Sequence, residues 1–275
     1  MTNMNEALAC PICNNQLDLE KVCCPSCHYQ FKLSDGIFDF TPIPPPKLIE
    51  PLWDTWVQLQ KNGEKAYTEW AEASLSIGLT EVEKAFGSYA DLKGNVLDVG
   101  CGPQSYPGYA SANKEINLYG IDPLRGVKKR DFNFVVALGE YLPFKNSFFD
   151  RVIFGTSLDH LFNPTRSLRE AFRVLKNDGV VVVWHGLPPE VAKRNPIRKF
   201  LSDTKYKIKN WLRPSFEYKF YKSMNVPNGA IDHFHFSHPT IAQVVSYLKE
   251  ANFKDIQVQQ FKDSRSYFLS ALPDR

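Results

Sequence analysis

At 275 residues the chain is long enough for one large domain, or for a core with a small appendage. Hydrophobic residues at 43% and charged residues at 23% are ordinary for a soluble globular protein, and a formal charge of +3 is too small to make the whole molecule a nucleic-acid or membrane binder. No apolar run has the length of a membrane span and the N-terminus Met-Thr-Asn-Met-Asn-Glu lacks a signal-peptide core, so the cytoplasm is the expected compartment and disulfides are not the expected use of the six cysteines.

Cys10-Pro-Ile-Cys13 and Cys24-Pro-Ser-Cys27 are two Cys-x-x-Cys knuckles joined by residues 14 to 23. Knuckles on short hairpins can bring four thiolates into a tetrahedron, the closed arrangement of a structural zinc site. So small a unit has almost no core, and metal binding would supply much of its folding free energy. Unmetallated thiols or a redox pair are the competing readings. Cys23 adjoins Cys24 and either could be the ligand; the regular spacing favours Cys24. The segment 29–40, rich in Tyr, Phe and Ile, suits the closing strand and exit of a ribbon.

Residues 42 to 51 include Ile-Pro-Pro-Pro, which reads as a stiff linker. Helical patterns follow from Leu48 to about Gly87, with Leu52, Trp53, Trp56, Val57 and Leu59 on one side. Trp53 and Trp56 at that spacing are expected in a core, and Thr80 is expected to cap the helix that starts at Glu81.

Asn95-Val-Leu-Asp-Val-Gly-Cys-Gly102 reads as a buried strand that carries Asp98 and runs into a glycine turn. Leu118-Tyr-Gly-Ile121 is a second buried strand with Asp122 at its end, and Phe134-Val-Val-Ala137 a third, followed by Gly139 and Glu140. Arg151 to Gly155 makes a fourth, ending at Thr156-Ser-Leu-Asp-His160. Asn163 and Pro164 then open a helix with Leu168, Phe172 and Leu175 as its apolar stripe, and Asn177-Asp-Gly179 is expected to stop it. Val180 to Gly186 is the fifth strand. Strands alternating with helices predict an α/β fold with a doubly wound, mostly parallel sheet, whose ligand lies beyond the strand ends at Gly100, Asp122, Thr156 and His185.

The series "VLDVGCG", Leu-Tyr-Gly-Ile-Asp122, Gly-Glu-Tyr-Leu-Pro-Phe144 and Phe-Asp-Arg-Val-Ile-Phe154 resembles the class I S-adenosylmethionine-dependent methyltransferases, over roughly Val96 to Gly186. That resemblance implies a Rossmann-like domain with S-adenosylmethionine held by Asp98, Gly100, Gly102, Gln104, Asp122, Gly139, Glu140 and Thr156. Asp122 is expected on the ribose hydroxyls, and backbone with Glu140 on adenine. Gln104 stands where the family more often has a third glycine, and Leu138 where an acidic residue is common. The cysteine segment is similar to the zinc-ribbon activator subunits of some methyltransferases. The organisation expected is a zinc ribbon at 1–41, linker and helices at 42–90, and a methyltransferase domain at 91–275 with a helical lid at about 188–230.

In that lid, ten Lys and Arg residues between Lys193 and Lys222 are interleaved with aromatics from Phe200 to Tyr221. Such a surface suits RNA, an anionic sugar nucleotide, or a lipid-linked phosphate met peripherally at a membrane; an ordinary lid with solvated lysines is the plain alternative. Asp232-His-Phe-His-Phe-Ser-His238 follows, then a helix from Ile241 to Ala251 and two closing strands. If segment 233–235 is extended, His233 and His235 share a face, yet no nearby acidic ligand recommends a metal there.

Methyl transfer needs alignment of nucleophile, methyl and leaving sulfur, and a hydroxyl acceptor also benefits from a base. His160 is the first candidate, with His185, His233 and His235 as alternatives; a structural hydrogen bond is the competing role for His160. The expected function is methylation, by preference at oxygen, of a small-molecule or glycan intermediate. An RNA methyltransferase using the ribbon and basic lid is the second reading. A non-catalytic module that keeps the cofactor fold is the third. The sequence leaves oligomeric state open.

Overall fold

The computed structural model describes residues 4–41, 47, 50–69, 80–112, 115–126, 129–188, 215–262 and 264–275. The basic stretch from Lys193 to Arg213 lies outside them. Among the described residues no helix is long and apolar enough to cross a membrane.

Among the described residues a mixed nine-stranded sheet organises the molecule. Its strands are β1 (Lys32–Ser34), β2 (Ile37–Asp39), β3 (Asn95–Val99), β4 (Asn117–Asp122), β5 (Asn133–Val136), β6 (Phe149–Gly155), β7 (Leu175–Gly186), β8 (Phe253–Gln260) and β9 (Ser266–Pro273). Across the sheet they run β1-β2-β5-β4-β3-β6-β7-β9-β8. The strands from β5 to β7 are mutually parallel, while β9 is antiparallel to both β7 and β8. The order reverses at β3, which lies between β4 and β6, so the crevice beyond the C-terminal ends of β3, β4 and β6 is where a doubly wound sheet takes its ligand.

The helices are α1 (Met4–Ala7), α2 (Trp53–Glu69), α3 (Glu81–Ala90), α4 (Pro164–Val174), α5 (Phe216–Lys222) and α6 (Ile241–Glu250). Thr80 caps α3 in a capping box with Glu83, and Asn163 caps α4 by accepting from the Arg166 amide. Thr240, paired with Gln243, does the same for α6.

Two expectations are corrected here. Helix α4 ends at Val174, with Leu175 already extended as the first residue of β7. Leu175 pairs with Phe149 across the sheet, so sheet pairing takes the residue that the apolar spacing assigned to the helix, and Asn177-Asp-Gly179 lies inside the strand. The segment 232–238 is a run of bends, not an extended strand. Asp232 accepts from the amides of Phe234 and His235, an Asx-type turn that takes His233 and His235 off a common face.

The cysteine-bearing N-terminus is built into this body. Strand β2 pairs in parallel with β5 through Asp39 and Val136, and the Phe40 amide donates to the Val136 carbonyl at 2.8 Å. Cys10, Cys24, Phe31 and Phe40 are buried in the same apolar cluster as Leu97, Ile121 and Val135 of the central strands.

Candidate active site

The glycine turn after β3 is held from several directions. The amides of Gly100 and Cys101 both donate to the Ile121 carbonyl at the end of β4. Gly100 has φ +78°, and a Cβ there would lie 2.6 Å from Ser157 Cβ, so only glycine lets the turn pass under the β6 exit. Gly102, at φ +69°, has open space before it with the Tyr67 hydroxyl 4.0 Å from where a Cβ would be. Arg130 stacks on Phe134 at 3.6 Å and donates to the Gly102 carbonyl at 2.7 Å, clamping the turn from behind.

This turn opens on a cavity of about 770 Å³. Gly100, Gly102, Gln104, Asp98, Asp122, Gly139, Glu140, Thr156, His160 and His235 all line it. Trp56, Leu59, Gly63, Ala66 and Tyr67 close it from α2. Their spacing places them on one helical face, which the sequence displayed without revealing what the face covers.

Asp122 is buried and already busy. Its two oxygens accept from the amides of Gly102 at 2.9 Å and Leu124 at 2.8 Å, so it braces both loops of the cavity floor. Each oxygen keeps a second lone pair for a ligand hydroxyl. Burial pushes its pKa up to about 6 against those two amides. Asp98 accepts the Tyr109 hydroxyl on Oδ2, while Oδ1 is buried with no hydrogen-bond partner. Burial raises Asp98 to about 7, with the Tyr109 bond opposing. An orphaned carboxylate oxygen on a cavity wall fits a ligand ammonium group, and the methionyl end of S-adenosylmethionine carries one.

Glu140 lines the cavity and also has a structural partner. Its carboxylate accepts from the Asn163 amide at 3.1 Å, and so serves the entrance of α4; burial carries it up to about 7. Leu138 and Gly139 line the same wall. Leu138 and Tyr141 there pack against Trp53 and Trp56, which stack on each other at 4.8 Å. The indoles are therefore half-buried packing residues, and Trp56 also reaches the cavity.

Thr156 follows β6 with φ +60°, a costly conformation for a β-branched residue, and donates its amide to the Trp184 carbonyl at 2.8 Å. Beyond it stands His160, whose Nδ1 lies 3.1 Å from the Phe234 carbonyl. About half of its side chain is open, and that open edge faces the cavity. Loss of hydration around the rest of the ring holds its pKa below the ordinary value, with Asp159 opposing and His235 reinforcing. The His235 ring lies 4.3 Å from that of His160. Burial would lower His235, but the hydrogen bond to Asp232 and the charge of Asp159 leave it raised. Asp232 itself stays well below the carboxylate range: burial pushes it upward, yet His235 and the two amides outweigh that.

The other two histidines are elsewhere. His185 is buried 1% exposed, bonds the Pro239 carbonyl through Nε2 at 2.7 Å, and does not line the cavity. Along β7 Val181 and Val183 face the cluster that contains α6, so the pleat sends His185 the same way and gives the cavity Trp184. His233 rests near Tyr221, and its carbonyl accepts from the Asn62 amide at 2.8 Å.

At the far edge the four cysteine sulfurs of Cys10, Cys13, Cys24 and Cys27 lie within 4.8 Å of one another. The two knuckles repeat one geometry: Asn14 and His28 both have positive φ, and their amides donate to the Cys10 and Cys24 carbonyls at 2.9 Å. Cys23 is not in the cluster; its backbone bridges Asp18 and Gln30.

Fold, cavity and motif agree on a class for the central domain, that of the S-adenosylmethionine-dependent methyltransferases. Residues 97–183 match the family model described as a methyltransferase domain. The chain is 26% identical over 194 residues to an uncharacterised protein of Methanocaldococcus jannaschii, covering 70% of this chain and 80% of that one. It is 38% identical over 63 residues to a ubiquinone/menaquinone biosynthesis C-methyltransferase of Coxiella burnetii, a match of 23% of this chain and 25% of the other. Among solved structures, Haemonchus contortus phosphoethanolamine N-methyltransferase 2 in complex with S-adenosyl-L-methionine aligns over 85% of this chain and 61% of that one, at 13% identity and TM-score 0.49.

Proposed function

We propose that the chain methylates a hydroxyl oxygen of a small molecule or glycan intermediate. The observation that carries this reading is the imidazole edge formed by His160 and His235 on the same cavity as Gly102, Asp98 and Asp122. S-adenosylmethionine supplies a methyl group on sulfonium sulfur, transferred by in-line displacement. Asp98 and the 100–102 turn are the groups suited to the methionyl end, Asp122 to the ribose, and the 138–140 backbone to adenine. Trp56 and Tyr67 roof the cavity and exclude water. The acceptor then approaches past Thr156, where a neutral imidazole assists loss of the hydroxyl proton.

The cysteine cluster belongs to the same reading as a structural zinc site. In a zinc tetrahedron with bonds of about 2.3 Å the sulfurs are about 3.8 Å apart. Here Cys10 and Cys27 are 3.6 Å apart, and Cys13 and Cys24 3.5 Å. Burial raises the Cys10 and Cys27 thiols and would raise Cys13, yet the Asn15 amide and the neighbouring thiols bring Cys13 down to about 7, so Cys13 stands nearest to the thiolate a metal needs. The ribbon at 1–41, the helices at 42–90 and the catalytic domain at 91–275 are the corresponding divisions, and reduced cysteine ligands suit a cytoplasmic protein. Helix α5, whose Phe220 packs on Ala66 of α2, supports a lid over the acceptor side.

The test is transfer of labelled methyl from S-adenosylmethionine into fractionated cell extract. Label is expected in low-mass hydroxyl compounds, and His160→Gln is expected to lower turnover by about 10²–10⁴-fold while leaving cofactor affinity in place. Label accumulating in RNA instead, or turnover unchanged in the variant, would contradict the proposal.

A further inference from the structure

Behind the open edge of the cavity lies a group of side chains that the methyl-transfer reading does not fully use. His160 Nδ1 faces the Phe234 carbonyl, which can only accept, so that nitrogen carries the proton and Nε2 presents a lone pair. His235 is set in the same way. Its Nδ1 lies 2.8 and 2.9 Å from the two oxygens of Asp232, so the neutral ring also presents its lone pair on Nε2. Both free nitrogens converge on one carboxylate: His160 Nε2 is 3.9 Å from Asp159 Oδ1, and His235 Nε2 is 3.8 Å from Asp159 Oδ2. Asp159 Oδ1 is itself buried with no hydrogen-bond partner.

We infer that Asp159, His160 and His235 form a binding site for one divalent first-row transition-metal ion at the acceptor side of the cavity. Two donors at about 2.1 Å from one ion can be at most about 4.2 Å apart, so the spacings to Asp159 admit an ion. The three donor atoms lie within 4.8 Å of one another, and a small inward rotation of the rings completes the closure. A neighbouring group of Asp232, His235 and His238 does not serve. Asp232 meets those rings at 2.8 and 3.1 Å, which are direct hydrogen bonds with no room between them. Asp232 is instead the carboxylate behind a ligating histidine, fixing its tautomer and raising its donor strength. Two imidazoles and one carboxylate leave several positions of the ion open, and this donor set suits manganese, iron, cobalt or zinc.

With the ion bound, His160 and His235 would act as its ligands in place of a free imidazole base: the ion would hold an acceptor oxygen and lower the pKa of its hydroxyl, so that the proton leaves to solvent before the oxygen–carbon bond forms and the sulfur–carbon bond breaks. That use rests on the proposed methyl transfer to oxygen; the ion site itself does not.

The experiment takes the full chain with its cysteine cluster loaded with zinc. Co²⁺ is added by equilibrium dialysis, cobalt is counted by elemental analysis, and visible spectra separate thiolate-bound from nitrogen- and oxygen-bound ion. One cobalt per chain without thiolate charge-transfer bands is expected. Asp159→Asn should abolish it, and Asp232→Asn, which keeps the shape of the loop, should weaken it by about 10–100-fold. Absence of cobalt outside the thiolate site, or binding indifferent to both variants, would overturn the inference. Calorimetry with S-adenosylmethionine on the same samples separates the two readings. Cobalt binding without cofactor binding would sink the methyltransferase reading and support the ion site; cofactor binding without cobalt would do the reverse.

Discussion

Asp98 and Asp122 stand on one cavity wall and differ in what already satisfies them. Asp122 has an amide on each oxygen, while Asp98 has Tyr109 on one and nothing on the other. With Asp98 near 7, a cofactor ammonium beside its free oxygen favours the carboxylate, so binding at neutral pH should expel a proton. Calorimetry in buffers of different ionisation enthalpy should find that release near pH 7 and lose it at alkaline pH. Enthalpies identical in all buffers would contradict it. The same burial sets the pH dependence of the cofactor-free fold. Asp98, Asp122 and Glu140 have folded values of about 7, 6 and 7, above the ordinary carboxylate range near 4, so the folded state binds more protons between about pH 4 and 7. Their stabilising contribution is full below that window and is lost as pH rises through it.

At this scale the sequence displayed what lies along one strand and its loop. Gly100, Gly102, Asp122 and Thr156 were legible because each sits at a strand end with a recognisable neighbour. Tyr67, Tyr109 and Arg130 were not, since each reaches the site from an element whose placement no local pattern encodes. The same limit hid Asp159 and Asp232 as partners for His235. One of them lies seventy-six residues upstream of that histidine, and the other acts through a turn that extended spacing cannot describe.

Among the elements, the knuckles and α4 show how local signals fare. The cysteine spacing needs no tertiary context, because the same four-residue turn recurs twice with its positive-φ residue after the second cysteine. Asn163 and Pro164 likewise marked the start of α4 correctly. Its end was misread because Leu175 suits a helical stripe and a strand equally well, and only pairing with Phe149 decides between them. The ribbon's attachment was not legible either: β2 joins β5 by pairing across about a hundred residues of sequence. That attachment leads to a prediction. The purified chain should carry one zinc, lost in Cys24→Ser and kept in Cys23→Ser. Because Phe31 and Phe40 share the main apolar cluster, stripping the metal should lower the melting temperature of the whole molecule rather than release an independent transition. A Cys24→Ser protein with full zinc content would contradict the assignment.

Among the described residues, the cavity gathers at one end of the sheet strands, away from the cysteine cluster. Strand ends of β3, β4 and β6 supply the floor of the cavity, α2 its roof, and the loops after β6 and before α6 its open side. The doubly wound core was predictable from alternating strands and helices. That the cysteine unit would extend the same sheet, and that α2 would close over the glycine turn, are outcomes of packing between distant segments.

The central claim is that this cavity binds S-adenosylmethionine with Asp122 on its ribose, and titration calorimetry on the parent chain and on Asp122→Ala tests it most directly. The account predicts one cofactor per chain for the parent, and binding weaker by about 1.5–3 kcal/mol in the variant, the range for losing a hydrogen bond to a charged group. Absence of binding by the parent chain, or equal affinity in the two proteins, would contradict it.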